Sequence, residues 1–160
     1  MNYQTTLEVE CAIAKHFNIR INLIIPNVSW GFFIHECDLL VVSKSGYLTE
    51  VEIKISLADL KKDIKKRHGH RDDRIKNLYF AIPSKMVKHI EYIPLHAGIL
   101  SITSKGKVFE LTKPKINTAA KPISIEDKLK LLRLGTMRIW GLKKKLIDIK
   151  NKEIKNAKEI

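Results

Sequence analysis

Apolar residues recur along this chain first at helical spacing and then at strand spacing, and the change of period outlines an α/β domain. Leu7, Cys11, Ile13, Ala14 and Phe17 share a helical arc that Thr5 or Thr6 can cap, and Asn18 breaks it. Three β-rich segments follow: Ile21 to Ile34, interrupted at Pro26-Asn27; Glu36 to Val42; and Tyr47 to Ile55. Ser45-Gly46 supplies a tight hairpin between the last two. Ser56, with Asp59 three residues on, predicts the start of a charged helix reaching about Arg67 and ended by His68-Gly69-His70. Leu78 to Ile82 is a short apolar run closed by Pro83, of the kind that forms a buried strand. Two more strands fit Gly98 to Thr103 and Lys107 to Leu111, around a Lys105-Gly106 turn. A crossover helix between Ile55 and Leu78 favours parallel pairing of the strands it joins.

Beyond Thr112 the pattern changes. Residues 113–123 lose periodicity, gain two prolines and read as a linker. A last helix is predicted from near Ser124, with Asp127 in the capping-box position. Its rough stripe is Leu129, Leu132, Ile139, Leu142, Leu146 and Ile149. The expected organisation is a core domain over 1–112, a linker over 113–123 and a basic helical extension over 124–160. The core is expected to fold without the tail.

Composition narrows the classes. The 160 residues suit one domain with an appendage, and a hydrophobic fraction of 44% is enough for a core. No apolar run approaches the roughly 20 residues that cross a bilayer, and the first residues do not resemble a secretion signal. Cys11 and Cys37 make neither a disulfide framework nor a zinc motif, so a reducing cytoplasmic setting is expected. The formal charge of +13 points to a polyanionic partner. It is uneven: residues 1–112 carry 16 Lys and Arg against 12 Asp and Glu, and residues 113–160 carry 14 against 5. Lysine-rich composition alone can also produce such an excess, with 24 Lys to 6 Arg.

Glu52-Ile53-Lys54 carries the sharpest chemical signal. On a strand Glu52 and Lys54 share one face, while Val51, Ile53 and Ile55 take the other. Asp38 lies on the preceding strand of the same hairpin, where side chains on one face come within reach. Its carboxylate and that of Glu52 are expected within about 6 Å of each other, close enough to share an oxygen-ligated Mg²⁺ or Mn²⁺. Lys54 is then placed to orient a water or to stabilise charge on a phosphate. The plain alternative is a solvated ladder of alternating charge. In the first helix Glu10 falls inside the predicted apolar arc, where a carboxylate is costly unless paired or near a metal.

Asp38, Glu52-Ile53-Lys54 and a glutamate in the first helix resemble the PD-(D/E)XK, or restriction-endonuclease-like, nuclease superfamily. One branch, the MmcB-like DNA-repair proteins, is similar further along. Its pattern matches Ser56, Asp59, Asp63 and Lys65, then Tyr79-Phe80-Ala81-Ile82-Pro83, Pro94 to Ile99, and Lys105 to Val108. The likeness covers roughly residues 7–115. The chain departs from the branch in having Lys66-Arg67-His68-Gly69-His70-Arg71 where the branch has Trp and Tyr. It also has Cys37 in place of a proline before the aspartate.

The resemblance implies an α-β-β-β-α-β core with a mixed sheet and metal-dependent hydrolysis of DNA phosphodiesters, in repair or processing. Asp38, Glu52 and the carbonyl of Ile53 would hold Mg²⁺ or Mn²⁺, Lys54 would assist the water, and Glu10 would be an outer or second-metal carboxylate. Lys61, Lys62, Lys65, Lys66, Arg67 and Arg71, with Lys143, Lys144 and Lys145 of the tail, are expected to hold the phosphate backbone. RNA stays open as a partner, as does a homodimer. His68 and His70 lack a nearby third ligand and read as loop residues near phosphates; Trp30 and Trp140 read as core or interface. Two alternatives stand beside the nuclease: a nucleic-acid-binding module without chemistry, and an interaction protein that dimerises through its last helix.

Overall fold

The computed structural model describes residues 5–28, 34–63 and 72–158. The chain is α/β, with one six-stranded mixed sheet and a long C-terminal helix. In order the elements are α1 (Thr6–His16), β1 (Leu23–Val28), β2 (Cys37–Val42), β3 (Leu48–Ile53), α2 (Leu57–Asp63) and β4 (Ile75–Pro83). A 3₁₀ segment (Ser84–Tyr92), β5 (Gly98–Ile102), β6 (Val108–Thr112) and α3 (Ile125–Lys158) follow. Strand order matches chain order, β3-β4 and β4-β5 are parallel, and the other pairs are antiparallel. The parallel β3-β4 pair joined through α2 is the crossover that the sequence predicts.

Alternation along the inner strands sends residues to two covered faces. On one, Val9, Ala12 and Ile13 of α1 pack on Leu39, Val41, Val51, Ile53, Ala81, Leu100 and Ile102. On the other, Leu131 and Leu134 of α3 cover Ile25, Leu40, Val42 and Leu48, while Leu60 of α2 and Met86 cover Leu78, Phe80 and Ile82. The central strands are accordingly rich in Leu, Ile and Val, as a sheet covered on both faces requires.

Several boundaries differ from the sequence reading, each for a physical reason. In α1 the buried residues are Val9, Ala12 and Ile13, whereas Leu7 is 61% exposed and Cys11 also faces solvent. The arc is turned from the predicted one, which places Glu10 at the boundary of the packed face rather than inside it. Glu8, exposed at the start of α1, forms a capping box with Thr5. Strand β1 starts at Leu23, because Asn18 (φ 55°) and Asn22 close a turn behind α1 in which Asn22 donates to the Phe17 carbonyl. It also runs through Pro26 and Asn27, which the sequence reads as an interruption. As an edge strand it can carry a proline, whose missing N–H costs no ladder bond on the open side.

The division into core, linker and extension is not how the packing divides. Residues 113–123 are strapped to the sheet: the Asn117 amide donates to Asp73 and Ile75 carbonyls, Ile123 N–H donates to Gly46, and Ala120 is buried. Gly46 has a φ of +87°, and a Cβ there would lie 3.2 Å from Pro122, so the hairpin turn and the strap share this glycine. The start of α3, capped by Ser124 as predicted, contributes Leu131 at 0% exposure. It completes the core, and only its later turns extend beyond.

Candidate active site

The register Leu39↔Val51 and Leu40↔Glu50 sets Asp38 across from Glu52, on the face away from α1. The chain leaves β3 at Lys54, whose N–H still donates to Ala81 and continues the parallel ladder. Ser56 then caps α2 by accepting from the Asp59 N–H, and α2 turns back over the end of β3. On α2, Leu60 is fully buried and Asp63, one turn later on the same side, is 6% exposed. The helix thereby delivers a third carboxylate to the end of the strand.

These groups converge on one ammonium. Lys54 Nζ is 2.6 Å from Glu52 Oε2, 3.0 Å from Asp63 Oδ1 and 3.7 Å from Asp38 Oδ2. Asp38 Oδ2 also accepts from the Ile53 N–H at 2.7 Å, which fixes the carboxylate against the strand that carries Glu52. Glu52 and Lys54 are 1% and 5% exposed, and the Asp38 side chain is 37% exposed. The solvated charge ladder is thus excluded. Charges this deep persist only when paired, and here the pairing opens to solvent on the Asp38 side.

Burial alone would pull the Lys54 pKa down, but Glu52, Asp38 and Asp63 together hold it above its ordinary value. Glu10 is shifted up, first by burial and then by the charge of Asp38; a hydrogen bond with the Asn27 side chain partly opposes this. Glu10 is thus near enough to Asp38 for the two charges to interact. One strand position back, fully buried Glu50 meets His35 Nε2 at 2.8 Å.

Asp63, His35 and Glu50 are the members that the sequence reading did not assign. Asp63 is named there only among the spaced residues of the second helix; the buried Leu60 one turn earlier is the signal that places it inside. Glu50 shares its face with Glu52 by alternation alone. His35 lies in an irregular stretch with no periodic signal.

The basic residues divide. Lys61 and Lys62 lie exposed on α2 beside the site, Lys61 over the Tyr92 ring at 4.9 Å. Lys143, Lys144 and Lys145 are exposed on α3, Lys143 over the ring of Trp140. Trp140 itself is 64% exposed and belongs to no core cluster. Lys65, Lys66, Arg67 and Arg71, together with His68, His70 and Trp30, lie outside the described residues.

Among the described residues no group of three or more His, Cys, Asp and Glu side chains is arranged to hold a metal ion. The donor chemistry still suits a hard divalent cation: Asp38 and Glu52 offer carboxylate oxygens on one face, next to the Ile53 backbone, and Mg²⁺ commonly takes one or two carboxylates and keeps its waters. Among those residues, too, no helix is long and apolar enough to cross a membrane.

No protein-family description and no curated protein matches the chain. A solved structure of a protein of unknown function from Silicibacter pomeroyi is similar, with a TM-score of 0.62 at 14% identity, over 94% of this chain and 96% of that one. At this identity the likeness speaks for the fold alone.

Proposed function

We propose that this chain is a restriction-endonuclease-like nuclease that hydrolyses DNA phosphodiester bonds in a divalent-metal-dependent reaction. The observation that carries the reading is the meeting of Asp38, Glu52 and Lys54 at the solvent-facing end of a β-hairpin, directly before the crossover helix. A purely structural role would not need a buried lysine shared by three carboxylates, because well-packed apolar residues stabilise such a position as well or better. The element order helix, three antiparallel strands, helix and parallel strand is that of the superfamily core. Cys11 and Cys37 are not joined in a disulfide, which suits a cytoplasmic setting.

In this reading Asp38 and Glu52, with the Ile53 carbonyl, hold Mg²⁺ or Mn²⁺. When bound, the ion supplies a water of lowered pKa and neutralises charge on a phosphate oxygen. The remaining work falls to the chain. The Ile53 N–H and Lys54 hold Asp38 in place. Lys54 keeps its proton at neutral pH and presents fixed positive charge to the attacking water and to the phosphorane that follows. Asp63 anchors Lys54 from the helix side, and Glu10 adds a carboxylate at the rim.

The test is cleavage of linear, nicked, branched and single-stranded DNA with Mg²⁺ or Mn²⁺. Asp38→Asn should abolish cleavage and leave the fold intact, since the amide keeps the shape and loses the ligand charge. Lys54→Ala should lower the rate on the order of a hundredfold or more while divalent ions still bind. Cleavage that survives both changes puts the reaction elsewhere. Binding to DNA that ignores divalent ions, without cleavage, supports the binding module instead.

One observation favours a second reading. Ile125, Leu129, Leu132, Ile139 and Leu146 lie along one exposed side of α3, at 71%, 55%, 44%, 56% and 66% exposure. Stripes of this size commonly mark contact surfaces, and dimerisation through α3 would cover it.

A further inference from the structure

Beside the Asp38 end of the site, α3 stands off from the domain and leaves a cleft of about 640 Å³, within the size range of small-molecule pockets. Its floor and one wall come from Pro26, Asn27 and Glu10. The opposite wall is the α3 face that carries Leu134, Arg138 and Lys145. That face first packs on the sheet through Leu131 and Leu134, then parts from it. Arg138 spans the gap, donating to the Asn27 carbonyl at 2.6 Å. Asn27 has a φ of 51°, a left-handed conformation that asparagine tolerates, and it lines the cleft together with Glu10. Arg138 thus joins α3 to β1, the strand that pairs with the one carrying Asp38.

Gly141 decides what the cleft is for. It sits in the interior of a 34-residue helix, where glycine is costly in backbone entropy, and it faces the cleft. A Cβ built on it meets no atom within 4 Å, so no close packing requires the glycine. Its φ is not left-handed, so no backbone conformation requires it either. What the missing side chain leaves is open space beside Met137 and Lys145.

We propose that this cleft takes one unpaired nucleotide of a single-stranded or locally opened nucleic acid, next to the phosphate presented to Asp38, Glu52 and Lys54. The two walls suit its two ends. Lys145 and the Arg138 guanidinium offer positive charge to phosphate, Glu10 and Glu36 offer acceptors to base N–H groups, and Met137 and Leu134 provide an apolar surface for a ring. A base stacked and paired in a duplex presents only its edges and cannot enter. The inference rests on the nuclease reading for its setting, but binding alone tests it.

The experiment measures fluorescence anisotropy of the full chain, in EDTA, with a labelled oligothymidylate of about 12 nucleotides and with a duplex of the same length. The parent should bind the single strand more tightly. Gly141→Leu, which fills the cleft, should weaken single-strand binding about tenfold or more, leave duplex binding nearly unchanged, and melt no lower than the parent. Lys145→Glu, at the exposed rim, should weaken the single strand as well. Parent-like single-strand affinity in both variants overturns the proposal. So does tighter binding of the duplex by the parent, or a Gly141→Leu protein that melts lower because its side chain met atoms. Absence of cleavage with Mg²⁺ and Mn²⁺ in the parent would count against the nuclease reading only, and the binding contrast would stand.

Discussion

Lys54 and Glu10 show how two ionisable residues can sit near one cluster with opposite consequences for stability. The Lys54 ammonium is stabilised by Glu52, Asp63 and Asp38, so its folded pKa lies above the ordinary 10.5. Its contribution is complete below the unfolded pKa and is lost only as pH climbs through the raised value, so neutral conditions leave it intact. For Glu10, burial and the nearby Asp38 raise a carboxyl pKa above 4.5. The folded state then binds the proton more tightly than the unfolded one, so the group begins to cost stability as pH rises past its unfolded pKa, and the cost is complete above its folded pKa. Glu10→Gln should therefore raise the melting temperature at pH 7, and the gain should vanish below the unfolded pKa, where both carboxyls are protonated. The size should stay under about 1 kcal/mol because the site is partly solvated. Melting curves from pH 3 to 8 check this, and a gain that persists at pH 3 would show that packing, not charge, is responsible.

Helix α3 shows at the level of elements what periodicity can and cannot reveal. Its cap at Ser124 and its apolar content were legible, but the stripe read from the sequence, Leu129 to Ile149, is the exposed side and leaves out the two leucines that pack. Leu131 and Leu134 point into the core, whereas Leu132, Ile139 and Leu146 point away. An apolar stripe does not say which domain surface will cover it. The strap 113–123 was misread for a related reason: its order comes from Asn117 and Ile123 bonding to distant backbone, and such contacts leave no period in the sequence. Strand β1 escaped in part because proline and a left-handed asparagine look like a break unless the strand is known to be an edge. The consequence for the expected domain division is direct. A chain cut after residue 123 exposes Ile25, Leu40 and Leu48, and losing two buried leucines costs roughly 2–5 kcal/mol each. That fragment should fail to show a cooperative transition by circular dichroism, while a fragment ending at residue 146 should melt cooperatively. A folded 1–123 fragment would restore the division of core and tail.

For the molecule as a whole, the cluster Asp38, Glu52 and Lys54 was readable because strand alternation and a short hairpin fix which side chains share a face. Asp63 and His35 needed the tertiary packing of α2 and of the segment before β2. The charge of +13 was readable as a number, and the fold now gives it a place: α3 carries Lys143, Lys144 and Lys145 just past the turns that pack on the sheet, and Lys145 borders the cleft. If these lysines meet phosphates, neutralising them removes released counterions from the binding equilibrium. Lys143→Gln, Lys144→Gln and Lys145→Gln together should make the slope of log affinity against log salt shallower by about 2 for a single strand, near 0.7 per phosphate contact. Affinity should fall most at low salt, with melting temperature nearly unchanged because all three are exposed. Titrations between low and moderate salt measure this without any cleavage. An unchanged slope would mean that the excess charge reflects lysine-rich composition. The apolar side of α3 would then be the feature to pursue, with Leu132→Glu and Ile139→Glu expected to turn a dimer into a monomer in sedimentation experiments.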